Sequence, residues 1–435
     1  VLLVGDVDVI PSWSFSGNVT DLPYQLLDGD DWLPDLMLGR FSVSNQSECQ
    51  AMVAKTVAYE REPDDDDLGW FTRSVMVAGQ YASTTPMHTV RFCGEQLAGL
   101  GFDPLVPVTP VQLDGNYIVS PYIPREEIGI PQNMGPVAIK NAIDTGCGFV
   151  VYRGWAYGTA GWEPPHYTVD EIPTLANGAM TPIVMSFVCL NGDFSAAEPC
   201  FGEVFTRTGG ATPDAFKGAV AFIGNGEHWS HTRFNDAMAI SVFERITDRG
   251  VTTLGGLLNA GKLRFLEYYP GELDETGDED SVEFYFHIYT LLGDPELNFR
   301  RAAPAPLTVT YPEDELSAGT THLEVAVDDA TGNLAGARIG VVQDGLLLGR
   351  AVTGDDGRAG VVLDVPVADG PVHLTVTHTD RHAFEATLNG GEHDVFIALD
   401  DPGLDDDSGN GDGTLNPGET IAMLATMRND GVATS

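Results

Sequence analysis

Residues 182–194 read "PIVMSFVCLNGDF". An apolar run with no polar alternation is followed by a cysteine and an Asn-Gly turn. Such a run fits a strand covered on both faces, and Asn-Gly marks where it stops. The same pattern recurs in "VLLVGD" (1–6), "SVMVAG" (74–79), "GFVVYRG" (148–154) and "GAVAFIGN" (218–225). Amphipathic segments lie between them, among them "SECQAMVAKTVAYERE" (47–62) and "HTVRFCGEQLAGLGF" (88–102). Strands alternating with helices predict βαβ units and a mostly parallel sheet sandwiched by helices. This α/β region is expected to run to residue 303. An acidic loop at Asp64–Asp67 is expected to part a partial N-terminal subdomain (1–70) from a larger one (71–303).

The pattern then changes. "LTVTYP" (307–312), "HLEVAVDD" (322–329), "ARIGVVQDG" (337–345), "GVVLDVPV" (360–367) and "VHLTVTHTD" (372–380) alternate with period two between Gly and Asp turns. That predicts an all-β sandwich of immunoglobulin type over 304–398. Residues 399–435 read as an acidic linker and the start of another β-domain. In "DDPGLDDDSGNGDGTLNPGE" (400–419), Ser408, Asn410, Asp412 and Glu419 take ligand positions of an EF-hand-like loop, with Asp406 as an added carboxylate. Alternating oxygen ligands suit Ca2+; a flexible acidic linker has the same composition. Asp28, Asp30 and Asp31 form a second acidic cluster, read as a solvated turn.

The chain has 435 residues and a formal net charge of −42, with lysine only at 55, 140, 217 and 262. Such a field repels nucleic acid and anionic membrane surfaces. Aspartate without lysine points to a secreted or salt-adapted protein, and no apolar run is long enough to span a membrane. The chain starts inside an apolar run and stops just after another begins. We read it as a piece of a longer polypeptide with further domains at both ends. The five cysteines show no CxxC pair, which argues against a zinc knuckle.

In a parallel α/β sheet, chemistry collects where strands end. Three ends stand out: Cys189 with Asn191 and Gly192; Gly154-Trp155-Ala156; and Asn225 through Trp229. A thiol leaving a buried strand into a turn is a nucleophile when a base or positive field lowers its pKa, and a packing residue otherwise.

Taken together, "YRGWAYGTAGW" (152–162), "VCLNGDF" (188–194), "EPCFGEVF" (198–205), "GAVAFIGNGEHWS" (218–230) and "LLGDPELNFR" (291–300) resemble the gingipain-type cysteine peptidases. The resemblance implies a caspase-like α/β fold followed by an immunoglobulin-like domain, an extracellular or cell-surface location, and protein or peptide substrates without a catalytic cofactor. It puts Cys189 at the nucleophile position, Asn191 and Trp229 at the substrate pocket, and Gly154 in the oxyanion region. The family's base is the histidine of a Gly-His-Gly turn, and here that turn is Gly154-Trp155-Ala156. Gln80 falls near the family's glutamate.

Thiol attack on an amide needs one proton removed from sulfur and one delivered to the leaving amine. Imidazole does both near neutrality, whereas an indole N–H only donates a hydrogen bond. His166 and His228 are the substitute bases within plausible reach, with His231 nearby. Two functions follow as expectations. One is a cysteine endopeptidase with impaired activity. The other is a catalytically silent homologue serving as a binding or structural module, with Trp155 filling the vacated space. A weaker third is a calcium-stabilised adhesin-like segment.

Overall fold

The computed structural model describes residues 1–61, 65–79, 85–110, 135–273, 280–312, 315–392, 397–399, 403–405, 407–414, 416–425 and 427–429. They divide into two compact units, Val1–Pro304 and Ala305–Ser435.

The first unit is built on one eight-stranded sheet. In chain order its strands are β1 (Leu2–Val4), β2 (Gly39–Phe41), β3 (Arg73–Ala78), β4 (Asp103–Pro110), β5 (Phe149–Arg153), β6 (Ile183–Phe187), β7 (Ala221–Asn225) and β8 (Tyr289–Leu292). In space they run β1-β2-β8-β7-β6-β5-β3-β4. Neighbours are parallel except β7 and β8, which are antiparallel. β3 lies between β4 and β5, so the chain reverses its direction of travel there. Such a switch point opens a crevice beyond the strand ends.

Both faces of the sheet are covered, as the unalternated runs require. Met76, Val151, Met185 and Ile223 face one core, and Val75, Val150, Val184 and Phe222 the other. The first core is closed by α2 (Thr85–Gly99), α5 (Thr232–Ile246), α6 (Leu254–Tyr268) and α7 (Val282–Ile288). The second is closed by α3 (Pro136–Asp144) and α4 (Phe201–Arg207), while α1 (Gln46–Arg61) packs on α4. The acidic stretch before β3 is not an open joint where it is described. Asp65–Thr72 is a run of 3-10 turns that buries Trp70 and Phe71 in the first core.

The second unit is all β. His322–Asp329 pairs with Thr308–Thr310, Gly332–Asn333 and Arg358–Val362. A five-stranded sheet holds Glu315–Ser317, Phe384–Gly391, Gly370–Thr377, Arg338–Gln343 and Leu346–Val352, in that order. Their inward residues, such as Val325, Val341, Val361 and Leu374, form one aliphatic core. The acidic loop caps a ladder, because Gly403–Asp405 pairs with Ala422–Leu424. Two of its carboxylates accept hydrogen bonds within the loop. Glu419 accepts from the Asn410 and Asn416 N–H groups, and Asp412 from that of Thr414. Asp406 lies outside the described residues. Among the described residues no cluster of three or more His, Cys, Asp or Glu is placed to hold a metal ion. No helix among them is long and apolar enough to cross a membrane.

Candidate active site

Register places the site. Phe187 is level with Arg153 across β6 and β5, and Met185 with Ile223 across β6 and β7. Two residues past the strands, Cys189, Trp155 and Glu227 therefore fall in one row, with strands about 4.8 Å apart. The loops keep that order. The Leu190 N–H donates to the Glu227 carbonyl (2.9 Å) and the Gly192 N–H to that of Asn225 (2.9 Å). Alternation puts Cys189, Arg153 and Asn225 on the face covered by α5.

The turn after β6 is sharp. Leu190 has φ of 61°, a left-handed conformation that costs a non-glycine residue about 1–2 kcal/mol. Asn191, expected in the substrate pocket, is instead fully buried. It works on the face of the sheet opposite Cys189. The Trp162 indole N–H donates to Ser186 Oγ (2.9 Å), and Ser186 donates to Asn191 Oδ1 (2.9 Å). The Asn191 amide then donates to the Gly161 carbonyl (3.0 Å). This chain ties the turn after β6 to the loop after β5.

The loop after β5 is held from beneath. Gly154 lies against Gly79 and the Tyr152 hydroxyl so closely that a Cβ there would sit 2.2 Å from the hydroxyl. The Trp155 N–H donates to Tyr152 Oη (3.1 Å). The Gly154 carbonyl accepts from Arg153 Nη1 (2.8 Å). Arg153 is buried and forms an ion pair with Asp236 on α5 (2.7 Å). Trp155 itself is 56% exposed, so its ring does not plug a closed pocket. Trp229, past β7, is 70% exposed.

The thiol is half-buried, and Ser230 supplies its polar partners: Oγ at 3.1 Å and the carbonyl at 4.0 Å. Burial pushes the Cys189 thiol above its ordinary value, and nearby Glu227 adds to the rise. The Ser230 hydrogen bonds and the Arg153 charge act against it. Among the described residues no imidazole is hydrogen-bonded to the sulfur. His166 pairs with Glu163 (2.8 Å) and packs edge-on to Tyr157, and His228 packs edge-on to Trp229 (4.5 Å). His231 stands 3.8 Å from Asp280. Gln80 lies outside the described residues.

Sequence reasoning missed Ser230, Asn235 and Arg153 as parts of this site, and read Glu227 only as a neighbour of His228. The available signal was parity. Arg153 and Glu227 flank the cysteine on neighbouring strand ends, and Ser230 precedes the helix that covers that face.

Comparison with known proteins places the chain in a family. A family model described as Peptidase family C25 matches residues 1–300. Gingipain R2 of Porphyromonas gingivalis is 27% identical over 381 residues, which is 87% of this chain and 47% of the relative. Lys-gingipain of the same organism is 24% identical over 416 residues, 90% of this chain and 22% of the relative. The chain thus spans less than half the length of either. The crystal structure of the Arg specific cysteine proteinase gingipain R matches with a TM-score of 0.72 at 23% identity, covering 90% of this chain and 83% of that one. That likeness shows a shared fold.

Proposed function

We propose, since this chain belongs to peptidase family C25, that it is a gingipain-like cysteine peptidase homologue with Cys189 at the nucleophile position and Trp155 at the position of the general-base histidine. One observation carries the reading. A thiol sits beyond the central strand, level with the neighbouring strand ends, with a hydroxyl and a carbonyl as its partners. A hydroxyl and a carbonyl do not take up a proton at neutral pH. Sulfur can still attack an electrophile, but a leaving amine finds no imidazole bonded beside it to protonate it. Peptide hydrolysis is therefore impaired, while reaction with an electrophile carrying a good leaving group persists. His228 and His166 become bases only by leaving their aromatic partners and swinging toward the sulfur.

In this reading the first unit is caspase-like, the second immunoglobulin-like, the location extracellular or cell-surface, and the ligand a protein or peptide. The exposure of Trp155 and Trp229 favours a second reading, a silent homologue that binds polypeptide through exposed aromatic rings. Labelling by an acyloxymethyl ketone probe separates inert from reactive thiols. Cys189→Ala abolishes labelling if Cys189 is the nucleophile, and equal labelling of both proteins removes it from that role. Trp155→His combined with Ala156→Gly then tests the missing base. Cleavage of a peptide library by that variant alone supports impairment, and vigorous cleavage by the unaltered chain refutes it.

A further inference from the structure

The hydrogen bonds behind Cys189 have a fixed direction. The Glu227 backbone N–H is an obligate donor, and it points at Asn225 Oδ1 (2.6 Å). The Asn225 amide must then turn its Nδ2 the other way, toward Asn235 Oδ1 (3.4 Å). Tyr289 Oη donates to the same Oδ1 (2.7 Å). Asn235 accordingly presents its own Nδ2 to Ser230 Oγ (2.9 Å). Ser230 Oγ accepts that bond, and the Cys189 sulfur lies 3.1 Å from the same oxygen; toward a thiolate, which carries no proton, the hydroxyl is the one that can donate.

We infer that Ser230 is a positioning residue that donates a hydrogen bond to the Cys189 thiolate, its direction set by the relay from the Glu227 N–H through Asn225 and Asn235. The inference rests on Cys189 being the reactive thiol, as proposed above. The relay needs no proton transfer. Each amide holds one orientation, and the last hydroxyl is left to donate to the thiolate. A donor to the charged form favours that form. That is what a thiol needs when burial and Glu227 oppose its ionisation and Arg153 is the neighbouring cation. Among the described residues, Asp236 of α5 stands behind Arg153 as its ion-pair partner, and the buried Tyr285 and Tyr289 hydroxyls also face the thiol. Burial pushes both up, so they stay protonated while the thiol titrates.

The pH profile of Cys189 alkylation by iodoacetamide tests this, read by mass spectrometry of the peptide that carries Cys189. Ser230→Ala raises the alkylation midpoint by about one pH unit and slows the reaction about tenfold at neutral pH. Ser230→Thr keeps the hydroxyl and restores the profile. Asn235→Ala frees the Ser230 hydroxyl to rotate and gives an intermediate midpoint. A Ser230→Ala midpoint equal to that of the unaltered chain, with unchanged near-ultraviolet circular dichroism, overturns the inference; so does failure of Ser230→Thr to restore it, or no shift in Asn235→Ala. Alkylation needs no general base, so the two readings fail separately. A Ser230-dependent midpoint together with vigorous peptide cleavage by the unaltered chain refutes only the impairment. An indifferent midpoint without such cleavage refutes only the relay.

Discussion

The two units solve the problem of a stable interior differently. The core of the second unit is aliphatic: leucine, valine, isoleucine and alanine from two sheets. The first unit buries Arg40, Lys55, Arg153, Glu203 and Lys262 beside its apolar clusters. Arg40 pairs with Asp21 (2.7 Å), Arg153 with Asp236, and Lys55 donates to the Thr206 carbonyl of α4 and to the Thr208 and Lys217 carbonyls beyond it. Buried charge is a poor source of net stability, because desolvation offsets much of the Coulomb gain. Its use here is local. Arg40 reaches the Gly5 and Ile10 carbonyls, and Arg153 the Gly154 and Thr232 carbonyls, so each anchors loops that leave the sheet. An apolar interior holds strands together, and a polar one also aims the segments between them.

The contrast is open to direct attack. Arg153→Met leaves Asp236 buried beside Thr89 without its cation, and costs about 3–5 kcal/mol of stability. Adding Asp236→Leu brings the loss well below the sum of the two single variants. Chemical denaturation followed by tryptophan fluorescence reads this, since all six tryptophans lie in the first unit. Val341→Ala, in the aliphatic core, costs about 2–3 kcal/mol by cavity formation, with no dependence on pH. Far-ultraviolet circular dichroism reports it, and a pH-dependent loss breaks the contrast.

His287 supplies the pH-dependent counterpart. It is buried, stacked on Phe15 and bonded to Thr20 Oγ1 (3.2 Å). Burial, then the Lys262 charge, lowers its pKa to about 3. Between that value and its ordinary 6.5 the unfolded chain binds a proton that the folded chain refuses. Stability is therefore lost as pH falls through this window, on the order of 2 kcal/mol by pH 5. His287→Phe narrows the difference between denaturation at pH 7 and pH 5 by that amount. The smallest effect belongs to Trp155→Ala, which changes stability by no more than about 0.5 kcal/mol because the ring stands in solvent. A larger loss means that the indole is part of the interior after all.

The same contrast explains what the sequence revealed. In the second unit, period two exposed His322–Asp329, Arg338–Gln343 and Gly370–Thr377, because inward residues are apolar and outward ones polar. Leu346–Val352 escaped, because "LLLGRAV" exposes two leucines before burying one. In the first unit, unbroken apolar runs marked β1, β3, β5, β6 and β7. The antiparallel β8 did not stand out, since direction is chosen by a partner far along the chain. Cys189 was legible as the last member of an apolar run. Its neighbours were not, because Arg153 meets Asp236 across 83 residues and Ser230 meets the thiol across 41. A pattern along the chain carries periodicity, and polar partnerships over such distances leave none.

Leu190 carries a consequence for how this protein tolerates change. Its left-handed backbone, and not the shape of its side chain, turns the chain beside the thiol. A saturation library at position 190 should therefore rank residues by backbone freedom. Glycine and asparagine are accepted, and valine and isoleucine rejected, although the latter two are nearer to leucine in chemistry. Such an inverted ranking, read from folded yield alone, would mark the turn beside Cys189 in a mutational map with no substrate in hand.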